Sequence, residues 1–283
     1  MKLRALLEIC RVSNLPTVWS NVTAGSSAGA YVTAFYISET NQVEALKHEL
    51  WILGQFILIP MFSISCLYCA GMVLNDYWDR EIDSIERPDR PIPSGRVSPG
   101  YARNIAVMLL FAGICFPLFH LVGNLLVSGP GIDLSDNLKR GLPMIVATTL
   151  LVGCIIAYNR LHTKSATSVV LMAACRVLAI LTAACFFAPW PMTLFTTVFI
   201  AGPALSVGGY TLLITIVARR EVEDVNAAKP RRFSGPKTVM NMIAGMPLID
   251  AAWLALMGLW PASLFCVACA GLTKFGHRKV AGS

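Results

Sequence analysis

The amino-acid sequence predicts an all-α integral membrane protein of about eight transmembrane helices, folded as one domain over residues 1–283. Three observations carry this. Only 14% of the residues are charged and 55% are hydrophobic, whereas a soluble domain averages about 25% charged. The mean hydropathy is +0.63, and the apolar residues gather into runs of about 20, the length that crosses a bilayer. The basic residues alternate between the segments that join those runs. Of the 23 Lys and Arg, nineteen fall at the N-terminus or after the second, fourth, sixth and eighth runs, and only Lys47, Lys139 and Arg140 fall in the others. By the positive-inside rule both termini and the 75–98 and 219–237 loops are cytoplasmic, which requires an even number of spans. The same distribution explains the net charge of +7 without a nucleic-acid partner.

Residues 1–12 read as an amphipathic segment on the membrane surface; Glu8, Arg11 and Asn14 interrupt what would be a cleavable signal. Span one, about 15–37, carries Asn14 and Asn21 seven apart, on one inward face, with Gly25, Ser26, Ser27 and Gly29 allowing close helix approach. Span two, about 50–75, delivers the most informative stretch. If its helix continues, Asn75, Asp79 and Asp83 share a face at i, i+4 and i+8, with Asp76 joining from the adjacent edge. Carboxylates side by side repel, so the arrangement calls for a cation. An all-oxygen donor set suits Mg2+, which keeps coordination positions for phosphate oxygens. Pro88, Pro91 and Pro93 then forbid helix and predict an extended loop bearing Arg87, Arg90 and Arg96. Carboxylates for metal and guanidiniums for phosphate thus share one membrane surface.

Ser98 followed by Pro99 reads as an N-cap opening span three, about 100–126. Span four, about 142–158, ends in a Tyr158-to-Lys164 loop. Span five, about 166–188, carries Arg176 near its middle, where an arginine must face a polar cavity or a partner. Span six, about 192–218, ends in Arg219-Arg220-Glu221-Val222-Glu223-Asp224. Spans seven (about 237–257) and eight (about 260–275) complete the chain. The 75–98, 158–165 and 219–237 loops lie on one side and can converge over one cavity. The nine cysteines sit almost wholly in apolar runs and read as free thiols, the two C-x-x-C pairs included, since no His lies near either pair.

Residues Asn75 to Ser98 resemble the first signature of the UbiA superfamily of intramembrane prenyltransferases, N-D-x-x-D-x-x-x-D followed by R-P-x-R-P-I/L-P-S-G-x-V/I-S. Asn75, Asp76, Asp79, Asp83, Arg87, Pro88, Arg90, Pro91, Ile92, Pro93, Ser94, Gly95, Val97 and Ser98 all match it. Arg11 and Asn14 are similar to the family's Arg and Asn ahead of span one, and Tyr158 and Lys164 to its tyrosine-and-lysine loop. The second signature, usually D-x-x-x-D, departs: Arg220 stands where the first Asp is expected, with Glu221, Glu223 and Asp224 beside it. This departure, with Tyr158-Asn159 and the run Met172 to Arg176, looks most like the EboC-type branch. The family commonly has nine spans.

The resemblance implies a UbiA-like bundle around a central polar cavity. It implies Mg2+-dependent transfer from a polyprenyl diphosphate to a small-molecule or lipid acceptor that the residues do not identify. Asn75, Asp76, Asp79 and Asp83 would hold metal, with Glu223 and Asp224 opposite. Arg90, Lys164 and Arg219 or Arg220 would neutralise diphosphate, Arg220 either replacing a second Mg2+ or standing by. Arg11, Asn14 and Arg176 would face the diphosphate or the acceptor; the other role for Arg176 is a structural pair. Tyr77, Trp78 and Tyr158 would face an allylic cation, or, for Trp78, anchor the interface. The alternative is a catalytically degenerate prenyl-lipid-binding protein or a transporter component. A CDP-alcohol phosphotransferase is excluded by the missing D-G-x-x-A-R run.

Overall fold

The computed structural model describes residues 3–37, 41–127, 134–161, 167–188, 194–226 and 236–279. Among them it is all-helical: α1 (Leu3–Ile9), a 3-10 turn (Val12–Asn14), α2 (Leu15–Ile37), α3 (Gln42–Phe56), α4 (Leu58–Trp78), α5 (Arg80–Glu86), α6 (Pro99–Val127), α7 (Leu134–Leu161), α8 (Thr167–Cys185), α9 (Leu194–Asn226), α10 (Pro236–Leu256) and α11 (Trp260–Lys279). Every expected span is present as a helix. Six of them, within α4 and α6 to α10, are both long and apolar enough to cross a membrane, making this a multi-pass membrane protein. The predicted eight included α2 and α11, whose Ser, Thr, Asn and basic residues dilute their hydropathy.

One boundary differs. Residues 51–56 belong to α3, and α4 begins only at Leu58. Pro60 has no N–H to give, so the helical ladder fails at this point and α3 turns aside to lie against α2. The start of α6 is as predicted: the Ser98 hydroxyl accepts from Tyr101 N at 3.3 Å, with Pro99 at the first helical position.

Neighbouring helices close a ring in the order α2, α4, α6, α7, α8, α9, α10, α11, and α2 also packs directly on α8 across the middle. That central seam is possible because Gly25 and Gly29 lack side chains. A Cβ on Gly25 would lie 2.3 Å from the Ile180 carbonyl oxygen, and one on Gly29 2.4 Å from that of Ala184. The seam divides two apolar clusters. One joins Val18, Ile64, Leu151 and Ala179 of α2, α4, α7 and α8; the other joins Ala28, Ile200, Leu254 and Cys266 of α2, α9, α10 and α11. All nine cysteines are free thiols.

Candidate functional site

The site is assembled where α1, α4 and the loop before α6 meet. Arg11 adopts a left-handed backbone (φ 46°) between α1 and the 3-10 turn, a strained choice for a side-chain-bearing residue. The reversal lets the chain enter α2 while its guanidinium reaches α4, donating to Asp76 Oδ1 at 3.2 Å and Asn75 Oδ1 at 3.4 Å. Helix α4 ends at Trp78, yet Asp79 N still bonds Asn75 O, and Asp83 N bonds Asp79 O. The i, i+4, i+8 register therefore survives the junction with α5.

The acidic face is nevertheless not an open row of carboxylates. Arg90 Nη1 donates to Asp83 Oδ2 at 2.6 Å and to Asp76 Oδ1 at 3.4 Å. All three are sealed from solvent, at 6%, 4% and 4% exposure respectively. Asn75 Nδ2 donates to Asp79 Oδ2 at 3.1 Å. Among the described residues no three His, Cys, Asp or Glu converge as a ready metal site. The chemistry of the donor set still fits a hard cation, because every acidic-motif ligand is an oxygen. Asn75 and Asp79 would hold it, joined by Asp76 and Asp83 when these exchange Arg90 for metal.

The proline loop, expected to be extended, is folded into turns. Ser94 N bonds Arg90 O, Gly95 N bonds Ile92 O and Val97 N bonds Pro91 O. Gly95 supplies the positive φ of 73° that the turn needs, and the Arg90 ion pairs draw the loop inward. Arg96 clamps it from outside with a bidentate pair to Glu8 of α1 at 2.7 and 3.0 Å.

Below this cluster lies a cavity of about 180 Å3. Arg11, Asn14, Asn75, Tyr158 and Arg176 supply its polar lining, and Val18, Ile64, Leu67, Leu151, Ile155, Ile214 and Met246 supply apolar walls. Tyr158 faces this cavity, with Arg11, Asp79 and Arg219 within electrostatic reach; there the first and second motif regions meet. The other two aromatics behave differently. Tyr77 and Trp78 pack with Leu6, Ile9 and Ala102 of α1 and α6, under the guanidiniums of Arg80 and Arg160. They are not among the cavity-lining residues, because the turn of α4 that aims Asn75 inward aims them at the surface helices.

Arg176 donates to Asn21 Oδ1 at 3.0 Å and Thr17 Oγ1 at 3.1 Å, and its guanidinium lies over Tyr68. Asn14 Oδ1 accepts from His277 Nε2 of α11 at 2.6 Å. Arg219 turns inward to the Ser168 hydroxyl. Arg220 is exposed, and neither it nor Arg219 is among the cavity-lining residues. Lys164 lies outside the described residues. Glu223 and Asp224 fall on the last turns of α9, whose side chains are likewise outside them. Tyr68, Asp250 and His277 were not singled out from the sequence. Asp250 had a signal, an acid inside a span, the reasoning that did pick out Arg176.

Fold and site together define a helical membrane protein with an acid–arginine cluster capping an apolar cavity. The chain belongs to the UbiA prenyltransferase family, whose model matches residues 29–282. It is 33% identical over 170 residues to a digeranylgeranylglyceryl phosphate synthase of Ignicoccus hospitalis (57% of this chain, 48% of that protein). It is 30% identical over 114 residues to one of Sulfolobus acidocaldarius (40% and 34%). The chain thus spans about a third to a half of the length of these curated relatives. A solved structure described as concerning digeranylgeranylglyceryl phosphate synthase in membranes superposes with a TM-score of 0.49 at 16% identity, covering 98% of this chain and 95% of that one.

Proposed function

We propose that this protein transfers a prenyl group from a prenyl diphosphate to an acceptor within the membrane, in a Mg2+-dependent reaction. The observation that supports it most is a single cavity in which polar groups (Arg11, Asn14, Asn75) meet predominantly apolar walls, the lining that an isoprenoid diphosphate needs. Asn75, Asp76, Asp79 and Asp83 would hold Mg2+, with Glu223 and Asp224 across from them. A bound Mg2+ supplies charge neutralisation as the diphosphate leaves. Arg11, Arg90, Lys164 and Arg219 would add charged donors for its oxygens, the stronger kind of phosphate contact. As the allylic C–O bond breaks, the ring face of Tyr158 would meet the developing carbocation. The acceptor's nucleophile then bonds that carbon and loses its proton. The relatives' name makes a glyceryl phosphate the first acceptor to test.

A second reading, a prenyl-lipid binder without turnover, is favoured by the ion pairs that occupy Asp76 and Asp83. The experiment that separates them is incubation of purified protein with labelled geranylgeranyl diphosphate, acceptor candidates and Mg2+. Release of diphosphate that stops with EDTA supports transfer. Saturable binding with no release across the acceptor set supports the binder.

A further inference from the structure

Behind the cavity wall the fold buries a carboxylate that the acidic motifs do not explain. Asp250, in the middle of α10, is 0% exposed. Its Oδ2 accepts from Ser20 Oγ at 2.7 Å and Asn21 Nδ2 at 2.8 Å, while its Oδ1 is buried without a hydrogen-bond partner. Asn21, also 0% exposed, uses both ends of its amide: nitrogen toward Asp250, oxygen toward Arg176. Thr17 receives the other Arg176 amino group and gives its own hydroxyl hydrogen to Asn14 O at 2.8 Å. Every donor and acceptor on this path has one direction, so the amide of Asn21 cannot turn over without setting donor against donor.

Arg176 is thereby held rigidly without a direct ion pair, the Asp250 carboxylate acting on it only across Asn21. Its bonded partners are neutral oxygens, and among the described residues it forms no ion pair. Its guanidinium faces the cavity over Tyr68, which precedes Asn75 by seven residues on α4. Arg176 lines the same cavity as Arg11 and Asn14, and none of its hydrogen-bond partners is an acidic-motif residue. A fixed cation in an apolar chamber attracts an anion strongly, because little water competes.

We propose that Asp250 is a positioning residue, which through Asn21 aims Arg176 into the cavity as the receptor for an anionic group, phosphate or carboxylate, on an amphiphilic acceptor. This rests on the prenyl-transfer reading for the word acceptor; the anion preference itself does not. Without an acceptor atom at position 250, the buried amide nitrogen of Asn21 is orphaned and the amide must swing elsewhere, releasing Arg176.

The test uses the full chain in detergent and compares affinity for 1-oleoylglycerol 3-phosphate, oleate and neutral 1-oleoylglycerol. Wild type should favour at least one anion over the neutral lipid by about tenfold, the scale of one charged hydrogen bond. The favoured anion tells phosphate from carboxylate. Arg176→Gln should erase the preference, and Asp250→Leu should cut it severalfold. Asp250→Asn, whose amide oxygen still accepts from Asn21, should rescue it, and Ser20→Ala should leave it intact. Should Asp250→Leu prove unstable, Asn21→Ala must give the same loss. Equal preference in wild type and Asp250→Leu overturns the proposal, as does a loss in Asp250→Asn equal to that in Asp250→Leu. Geranylgeranyl diphosphate affinity, read in the same samples, should stay constant in Ser20→Ala and Asp250→Asn. Its absence in wild type would sink the prenyl-transfer reading while leaving the anion preference to stand or fall separately.

Discussion

At the scale of single residues, Arg90 is the hinge of the acidic cluster. It is buried with two carboxylates on one amino group, and removing one partner of a buried pair costs about 3–5 kcal/mol. Arg90→Ala should therefore lower the thermal midpoint in detergent strongly, and adding Asp83→Asn should recover part of the loss. No recovery would show that Arg90 acts through packing rather than charge. Asp79 is different: it caps α4 and bonds Asn75 outside the Arg90 pairs. Asp79→Ala should abolish Mg2+-dependent binding of geranylgeranyl diphosphate while the melting curve barely moves, as calorimetry and thermal melts on the same sample would read.

His277 gives a pH signature. Burial holds its imidazole below the ordinary histidine value, and the neutral ring donates to Asn14. The unfolded histidine takes up its proton first as pH falls. The contact thus stabilises fully above about 6.5 and is lost progressively below it. Melting midpoints from pH 8 to 5 should fall less steeply in His277→Gln than in wild type; parallel curves would remove His277 from the account.

At the scale of elements, the α2–α8 seam is where the fold tolerates least. Gly25→Ala or Gly29→Ala places a methyl against a backbone carbonyl that cannot yield as a flexible side chain would. Each should destabilise by about 1–3 kcal/mol, the usual cost of overpacking. Gly153→Ala on α7 meets nothing within 4 Å and should be neutral or stabilising by up to about 1 kcal/mol from helix propensity. Equal effects at the two places would mean that the seam is not tightly packed. The small residues of span one announced that seam, and Ser98-Pro99 announced the start of α6, because both are local rules. The turns of the proline loop were not legible, since Arg90 folds that loop through ion pairs to residues 7 and 14 positions away. Nor was the inactivity of Tyr77 and Trp78 toward the cavity, which depends on where α1 and α6 lie.

At the scale of the whole molecule, the sequence revealed which segments form helices and where the charged mouth sits. It did not show which of its helices cross the seam partners. The path from Asp250 to Arg176 joins residues more than 70 positions apart on α10, α2 and α8, and no spacing rule links them. Sidedness remains a proposal carried by the basic residues. In a background cleared of reactive thiols, Thr40→Cys and Ser135→Cys should label from outside and Val280→Cys only from the cytoplasm. Labelling of all three from one side would reject the arrangement.

The contact between Asn14 and His277 ties the entry of α2 to the far end of α11. Gly276 sits against Ser13, with a Cβ there only 3.2 Å from the Ser13 backbone, so α11 braces the turn that begins α2. A residue of the cavity wall is thus fixed by a helix that follows it 263 positions later in the chain. Loosening α11 should therefore free Asn14 and widen the cavity there, while the acidic cluster, held by Arg11 and Arg90 on the other side, stays intact.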